Sequence, residues 1–418
     1  MKLRLPGVVE LHADERAPLS AAFCGFFCLL CGYYLLRPLR DALGLAGGVG
    51  QLPWLFTATF LAMLALVPVM GWLVRRLPPA RFVPVVFRFF ALNILLFALW
   101  FASAWAPLAA ARVFFVWLSV YNLFVVSMFW SALADRFTPG QGKRLFAFIT
   151  AGGSAGALAG PALTALLVNS LGPAGLALLG ALLLEATVQC WRVLIGATRQ
   201  HGGAAADAKA QSGLGGHVLN GLLLLVRDAY LAGIAVYFLL HTLASTFLYL
   251  EQARLIAAAS LDTATRAQWF ALVDLAVSCS SLLLQIFVSS ALMRRFGLAP
   301  SLAVLPVLGW LALLACALLP SLGTLAVAQA LRRSGDYALS RPAREVLFTV
   351  VSREAKYKAK GAMETVVYRA GDAASSWLFS ALTAMGAGFL TLAWLMLPVS
   401  LAWTWLCAWL ARRQAAVL

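Results

Sequence analysis

The chain has 418 residues, of which 62% are hydrophobic and 11% charged, with 32 Lys and Arg against 16 Asp and Glu. A water-soluble domain carries roughly a quarter charged residues, so this composition excludes a fold bathed in water on all sides and points to lipid as the solvent. The net charge of +16 does not indicate a nucleic-acid polymer as partner, because the cations form no single stripe and sit in short clusters between long apolar runs.

In chain order, residues 1–16 are polar and mixed in charge, and the first apolar run is too long for the core of a signal peptide. Apolar runs long enough to span a hydrocarbon core of ~30 Å follow near 18–44, 52–74, 83–103, 107–133, 145–168, 173–195, 229–251, 267–292, 299–319, 322–350, 360–385 and 388–411. Backbone groups in lipid have no water to bond, so spans of this length must be helical. The expected fold is an all-α membrane protein of about twelve helices, in two six-helix bundles related by a pseudo-two-fold axis. The bundles are expected over 1–195 and 223–418. The Gly- and Ala-rich stretch 196–222 reads as a flexible cytoplasmic linker.

Orientation follows from the basic clusters. Arg75, Arg76 and Arg81, then Arg136, Lys143 and Arg144, then Arg294 and Arg295, then the stretch from Arg341 to Lys360, and finally Arg412 and Arg413 all fall on one side if both termini are cytoplasmic. The intervening loops near 104–106, 169–172, 320–321 and 386–387 carry no Lys or Arg, a strong positive-inside signal. The halves also echo each other. GWLVRRLPPARFVP, at the end of the second helix, returns as ALMRRFGLAPSLAV at the end of the eighth, at an offset of about 219 residues. Parallel repeats of this kind belong to transporters whose site lies between the repeats near the bilayer midplane.

Charges inside apolar spans cost about 2.5–3.5 kcal/mol each at the bilayer centre, so each needs a reason. The first helix ends in YYLLRPLRDALG, with Arg37, Arg40 and Asp41 beside a backbone-breaking Pro38. The tenth carries Arg332, Arg333 and Asp336 near mid-depth, and the eleventh Glu364, Arg369 and Asp372. Arginine matches phosphate oxygens two at a time, so Arg37, Arg40, Arg332, Arg333 and Arg369 are candidates for contact with a polyanionic solute. The opposing reading is that they pair with Asp41, Asp336, Glu364 and Asp372 and lock helices together. Glu185 and Asp274 are candidate proton carriers or partners for a neighbouring helix. Arg88 is placed to snorkel, and Glu251 with Arg254 closes the seventh helix as an outer gate or a solvated end.

Other features read as structural. Gly152, Gly156 and Gly160 in AGGSAGALAGP share one helix face and permit close helix approach or sliding. Cys24, Cys28 and Cys31 share a face without a nearby histidine, which favours packing over metal. Of His12, His201, His217 and His241 only His241 falls in a span, where packing is expected. There is no phosphate loop and no hydrolase motif, so neither an enzyme nor a cofactor is expected.

The first-helix motif YYLLRPLRDALG, the fourth-helix stretch YNLFVVSMFWSALADRF and the long run RSGDYALSRPAREVLFTVVSREAKYKAKGAMETVVYRAGD resemble the nucleotide transporter family, the bacterial and plastidic ATP/ADP antiporters. The glycine-arginine loop and GALAGP are similar to motifs of the wider major facilitator superfamily. The resemblance implies that Arg40 keeps a family lysine's charge and that Glu251, in the place of a seventh-helix glutamate, joins the five arginines in the substrate-binding set. It also implies that Arg344 and Glu345 match a Lys-Glu pair, with Lys358 and Lys360 in the family's basic stretch. Asn122, Asp372 and Glu364 stand where the family pattern has glutamate, lysine and aspartate. The expectation is a monomeric secondary transporter of a bacterial-type inner membrane, exchanging nucleotides of the ATP/ADP type or a related organic anion by alternating access. A cytoplasmic gate is expected from Arg75, Arg76, Arg81, Arg136, Lys143, Arg344, Glu345, Lys358 and Lys360. The alternative is a proton-coupled symporter or exporter of another small solute, with Asp41, Glu185, Asp274 or Glu364 carrying the proton.

Overall fold

The computed structural model describes residues 3–4, 10–11, 15–76, 79–134, 136–137, 139–200, 218–259 and 262–417. His12, His201, His217 and most of the expected linker lie outside them. Apart from an antiparallel pairing of Leu3–Arg4 with Glu10–Leu11, the regular structure among the described residues is helical.

The first half forms α1 (Arg16–Gly44), α2 (Leu52–Arg76), α3 (Pro79–Ser103) and α4 (Pro107–Ala134). The stretch Pro139–Gln200 is broken at Gly172 (φ 62°, ψ −174°), which makes two helices of it, α5 before the break and α6 after. Pro79, Pro107 and Pro139 each stand first in a helix, where the missing N–H has no partner to lose. The second half opens with a short helix, Val218–Arg227, and continues as α7 (Ala229–Ala258). Asp228 caps α7 by accepting from the backbone N–H groups of Tyr230 at 2.8 Å and Leu231 at 3.2 Å.

Next come α8 from Thr263 to Phe296, α9 (Leu298–Leu318), α10 from Leu322 to Val350, α11 from Arg353 to Ala384 and α12 (Phe389–Ala415). Three of these contain a π-helical turn: Gln285–Ser289 in α8, Asp336–Ser340 in α10 and Met363–Val367 in α11. The twelve expected spans thus appear as twelve helices among the described residues. Nine segments of those residues are long and apolar enough to cross a membrane. One of them, Arg144–Ala197, is the broken pair α5 and α6. The two expected spans outside that set are α10 and α11, whose interiors carry the charges and π turns. Large apolar side chains such as Leu99, Trp105, Leu166 and Trp405 are exposed, as a lipid-facing surface requires.

The chain divides into two compact units. One comprises Met1–Leu43, Val69–Gly213 and Asp262–Leu272; the other comprises Gly44–Pro68, Leu214–Leu261 and Val273–Leu418. In the first unit α5 lies directly on the backbone of α1. A Cβ on Gly152, Gly156 or Gly160 would stand 2.6 Å from Phe23 O, 2.4 Å from Phe27 O and 2.7 Å from Cys31 O respectively. The glycine face expected from sequence is therefore a backbone-to-backbone seam. The Thr164 hydroxyl extends it, donating to Leu35 O at 2.7 Å. Across α3 and α4, Phe97 meets Phe114 edge-on at 5.1 Å, and Phe90 meets Tyr121 edge-on at 5.4 Å.

In the second unit α8 and α10 are joined where their π turns meet. Pro342 has no N–H to give the Ala338 carbonyl one turn earlier, and in the π turn the Arg341 N–H bonds Asp336 O instead. Side chains of α8 supply what is missing: the Ser289 hydroxyl donates to Ala338 O, and the Gln285 amide donates to Tyr337 O at 3.4 Å. Trp377 of α11 donates to the Thr57 hydroxyl at 3.0 Å and stacks edge-on against Trp54 at 4.9 Å.

Candidate functional site

Within the first unit, the charges at the end of α1 are held locally. Arg40 donates twice to one oxygen of Asp41, at 2.6 and 3.0 Å, and once to the Ser119 hydroxyl at 3.3 Å. Its guanidinium lies 5.0 Å from the Phe115 ring centre. Arg37 is half-buried, 5.8 Å from the ring centre of Tyr34 one turn earlier. Arg88 does not snorkel to a helix end. It forms a two-bonded fork with Glu185, at 2.7 and 3.1 Å, which ties α3 to α6 and gives that acid a partner on a neighbouring helix. Arg144 and Gln141 converge on Glu15 at 2.7 and 3.1 Å, a contact the sequence reading missed.

The second unit holds the denser cluster, along one stretch of α10. Asp336 is buried. It accepts one hydrogen bond from Arg344 at 3.1 Å, and Arg341 stands 3.5 Å away. Arg332 is 6% exposed, forms no ion pair within 4 Å among the described residues, and leaves its Nε–H without a hydrogen-bond partner. It lies within electrostatic reach of Asp336, as do His241 and Tyr237 from α7 and Tyr368 from α11. Around that carboxylate the hydroxyls of Tyr237 and Ser340 lie near each other, yet neither has a hydrogen-bond partner of normal geometry. His241 Nδ1 and the indole N–H of Trp403 are likewise buried without partners, with the two rings 6.3 Å apart. One turn of helix separates Tyr237 from His241, so both fall on the same face of α7.

Other site residues are placed as follows. Arg333 pairs with Asp274 of α8 at 2.6 Å, both largely buried. Arg369 stands 3.5 Å from Asp372, which also accepts from the Thr246 hydroxyl at 3.3 Å. Glu251 is buried two turns before the end of α7, with Oε2 lacking a hydrogen-bond partner and Arg254 at 3.9 Å. This is not a solvated helix end. Beside it in sequence, Gln252 accepts from Gln329 of α10 at 2.7 Å, and Gln329 Oε1 has no donor. Glu364 is exposed, 3.9 Å from Lys360.

Of the residues assigned to a cytoplasmic gate, Lys360 and Glu345 are joined at 2.6 Å, Arg76 is exposed, and Arg136 and Lys358 are half-buried. Arg344 departs from that group, since it is buried against Asp336 and stacks 4.9 Å from the Phe238 ring centre. The side chains of Arg75, Arg81 and Lys143 lie outside those described. Among the described residues no group of three or more His, Cys, Asp or Glu could hold a metal ion.

Solved structures share this helix arrangement. A mutant of the nucleoside transporter NupG superposes with a TM-score of 0.66 at 12% identity, covering 96% of this chain and 100% of its own. This is the major facilitator fold. An auto-inhibited POT family peptide transporter (TM-score 0.65, 13% identity) covers 95% of this chain and 97% of its own. A bacterial homologue of the iron transporter ferroportin, in an inward-facing state, has a TM-score of 0.65 at 15% identity, covering 95% of this chain and 98% of its own. No protein-family model and no curated protein matches the chain, so the resemblance to nucleotide exchangers has support only at the level of this wider fold.

Proposed function

We propose that the protein is a secondary-active transporter of a small organic anion, with nucleotides of the ATP and ADP type as first candidates, exchanged by alternating access. It is a carrier and not an enzyme, in a bacterial-type inner membrane, with cytoplasmic termini and a monomeric working form. The observation that carries this reading is the surplus of guanidinium charge on α10. Arg332, Arg333, Arg341 and Arg344 gather around two carboxylates, Asp274 and Asp336, and Arg332 is buried with no ion pair among the described residues. Arg332 lies ten residues inside α10, at a depth of about 15 Å. A guanidinium at that depth with no direct ion pair, its nearest countercharge being one that Arg344 and Arg341 already hold, is too costly to keep for packing alone. An anionic solute supplies the missing countercharge, and a bare cationic site resists crossing an occluded state, which favours exchange over one-way movement.

The solute's phosphate groups provide the two-oxygen edge that arginine matches. In proteoliposomes loaded with ADP, Arg332→Ala is expected to cut ATP uptake by at least about tenfold, the loss of one buried charged contact of about 1.4 kcal/mol or more. Uptake that is unchanged in a folded variant refutes the assignment. A second reading, coupling to a proton, is favoured by Glu251, a buried carboxyl with one oxygen lacking any donor. Uptake driven by a pH gradient without internal nucleotide, and lost in Glu251→Gln, would select it.

A further inference from the structure

We infer that Asp336 is an internal stand-in for the transported anion: it occupies the guanidinium of Arg344 in the unloaded protein and yields it to a phosphate or carboxylate group of the solute. The inference deepens the anion-transport reading and rests on it. Three features separate Asp336 from an acid that merely locks helices.

The first is stoichiometry. Arg344 at 3.1 Å and Arg341 at 3.5 Å stand against this buried carboxylate, the buried Arg332 lies within electrostatic reach of it, and the other acid within reach of Arg344 and Arg341, Glu364, is exposed. The second is geometry. Arg88 and Glu185 form two hydrogen bonds through two carboxylate oxygens, and Arg40 gives Asp41 two short bonds. Among the described residues Asp336 receives a single hydrogen bond, although a carboxylate can accept about four. It is held by charge more than by shape, as a displaceable counter-ion must be. The third is the surroundings. Within electrostatic reach of Asp336 the buried Arg332 Nε–H has no hydrogen-bond partner, and beside His241 the buried Trp403 N–H has none. Buried donors without acceptors are costly, and a tetrahedral oxyanion brings three or more acceptor oxygens to them.

The site also sits where its backbone can give. Asp336 opens a π turn, and Ser340 closes it. Such turns, with their wider hydrogen-bond register, are frequent at functional sites. Moving Asp336 off Arg344 therefore asks for a shift within an already irregular turn, without breaking a regular helix.

The test uses purified protein in nanodiscs, with inorganic phosphate and ATP as probes, read by equilibrium binding. Removing an internal competitor that holds the site nine-tenths of the time raises apparent affinity by about tenfold. Asp336→Asn is expected to bind phosphate and ATP about tenfold more tightly than the unaltered protein, while Asp336→Glu keeps the original affinity. If Asp336→Asn fails to fold, Asp336→Asn combined with Arg341→Gln restores the charge balance and is expected to bind more tightly all the same. A folded variant with unchanged or weaker affinity overturns the stand-in role and leaves anion transport standing, provided the unaltered protein binds ATP. Binding of neither probe by any variant overturns both.

Discussion

The seam between α1 and α5 makes one substitution unusually informative. Gly156→Ala places a methyl group 2.4 Å from the Phe27 carbonyl oxygen and 2.9 Å from the Cys31 backbone nitrogen. Both atoms are main chain, so no side chain can swing aside. Relief to an ordinary contact needs the helices to part locally by about 1 Å, which forfeits a quarter to half of the dispersion energy along the gap. The expected loss is about 1–3 kcal/mol, the usual range for overpacking. Gly196 lies in α6 with nothing within 4 Å of an added Cβ. There the same change removes only glycine's entropy penalty and should stabilise by about 0.5–1 kcal/mol. Equilibrium unfolding in mixed detergent micelles, followed by circular dichroism, measures both. Opposite signs are expected. If Gly156→Ala unfolds at the same denaturant fraction as the parent, the backbone contact is not what holds α1 to α5.

Two more substitutions probe the polar ties. Arg88→Ala and Glu185→Ala should each destabilise by about 0.5–1 kcal/mol, a modest loss because both side chains are more than a third exposed, while the double variant should lose less than the two combined; additive losses in the same unfolding assay would deny the coupling. Ser289→Ala leaves the Ala338 carbonyl without its donor and should cost about 1–3 kcal/mol. Adding Pro342→Ala returns an N–H to that turn and should recover most of the loss. No recovery would show that the proline is not what frees the carbonyl.

The helices were legible because the constraint that makes them is compositional. Apolar runs of twenty or so residues have one solution in lipid, and proline or glycine marks the breaks at Pro79, Pro107, Pro139 and Gly172. The glycine face was legible from four-residue spacing, since small residues on one side of a helix serve close approach. Partner choice was not legible. Nothing in the order of residues says that Arg333 takes Asp274 from α8 or that Arg88 takes Glu185, because those pairings are set by how helices rotate as they pack. The π turns were also hidden: one extra residue in a turn leaves no compositional trace, although Pro342 beside two arginines was a signal that the ladder there is broken. Tyr237 and Trp403 escaped notice because aromatic residues with a polar tip look like core in an apolar run. Only their unpartnered atoms mark them out.

The join between α5 and α6 has a practical side. At Gly172 the chain kinks through a single residue with φ 62°, followed at once by Pro173, and the two helices run up to it without a loop. At that end of the pair there is no slack ribbon for a protease to seize, an antibody to grip or an engineer to lengthen. A reporter spliced there would have to unwind a turn of helix before it could fit, so labels belong elsewhere on this chain.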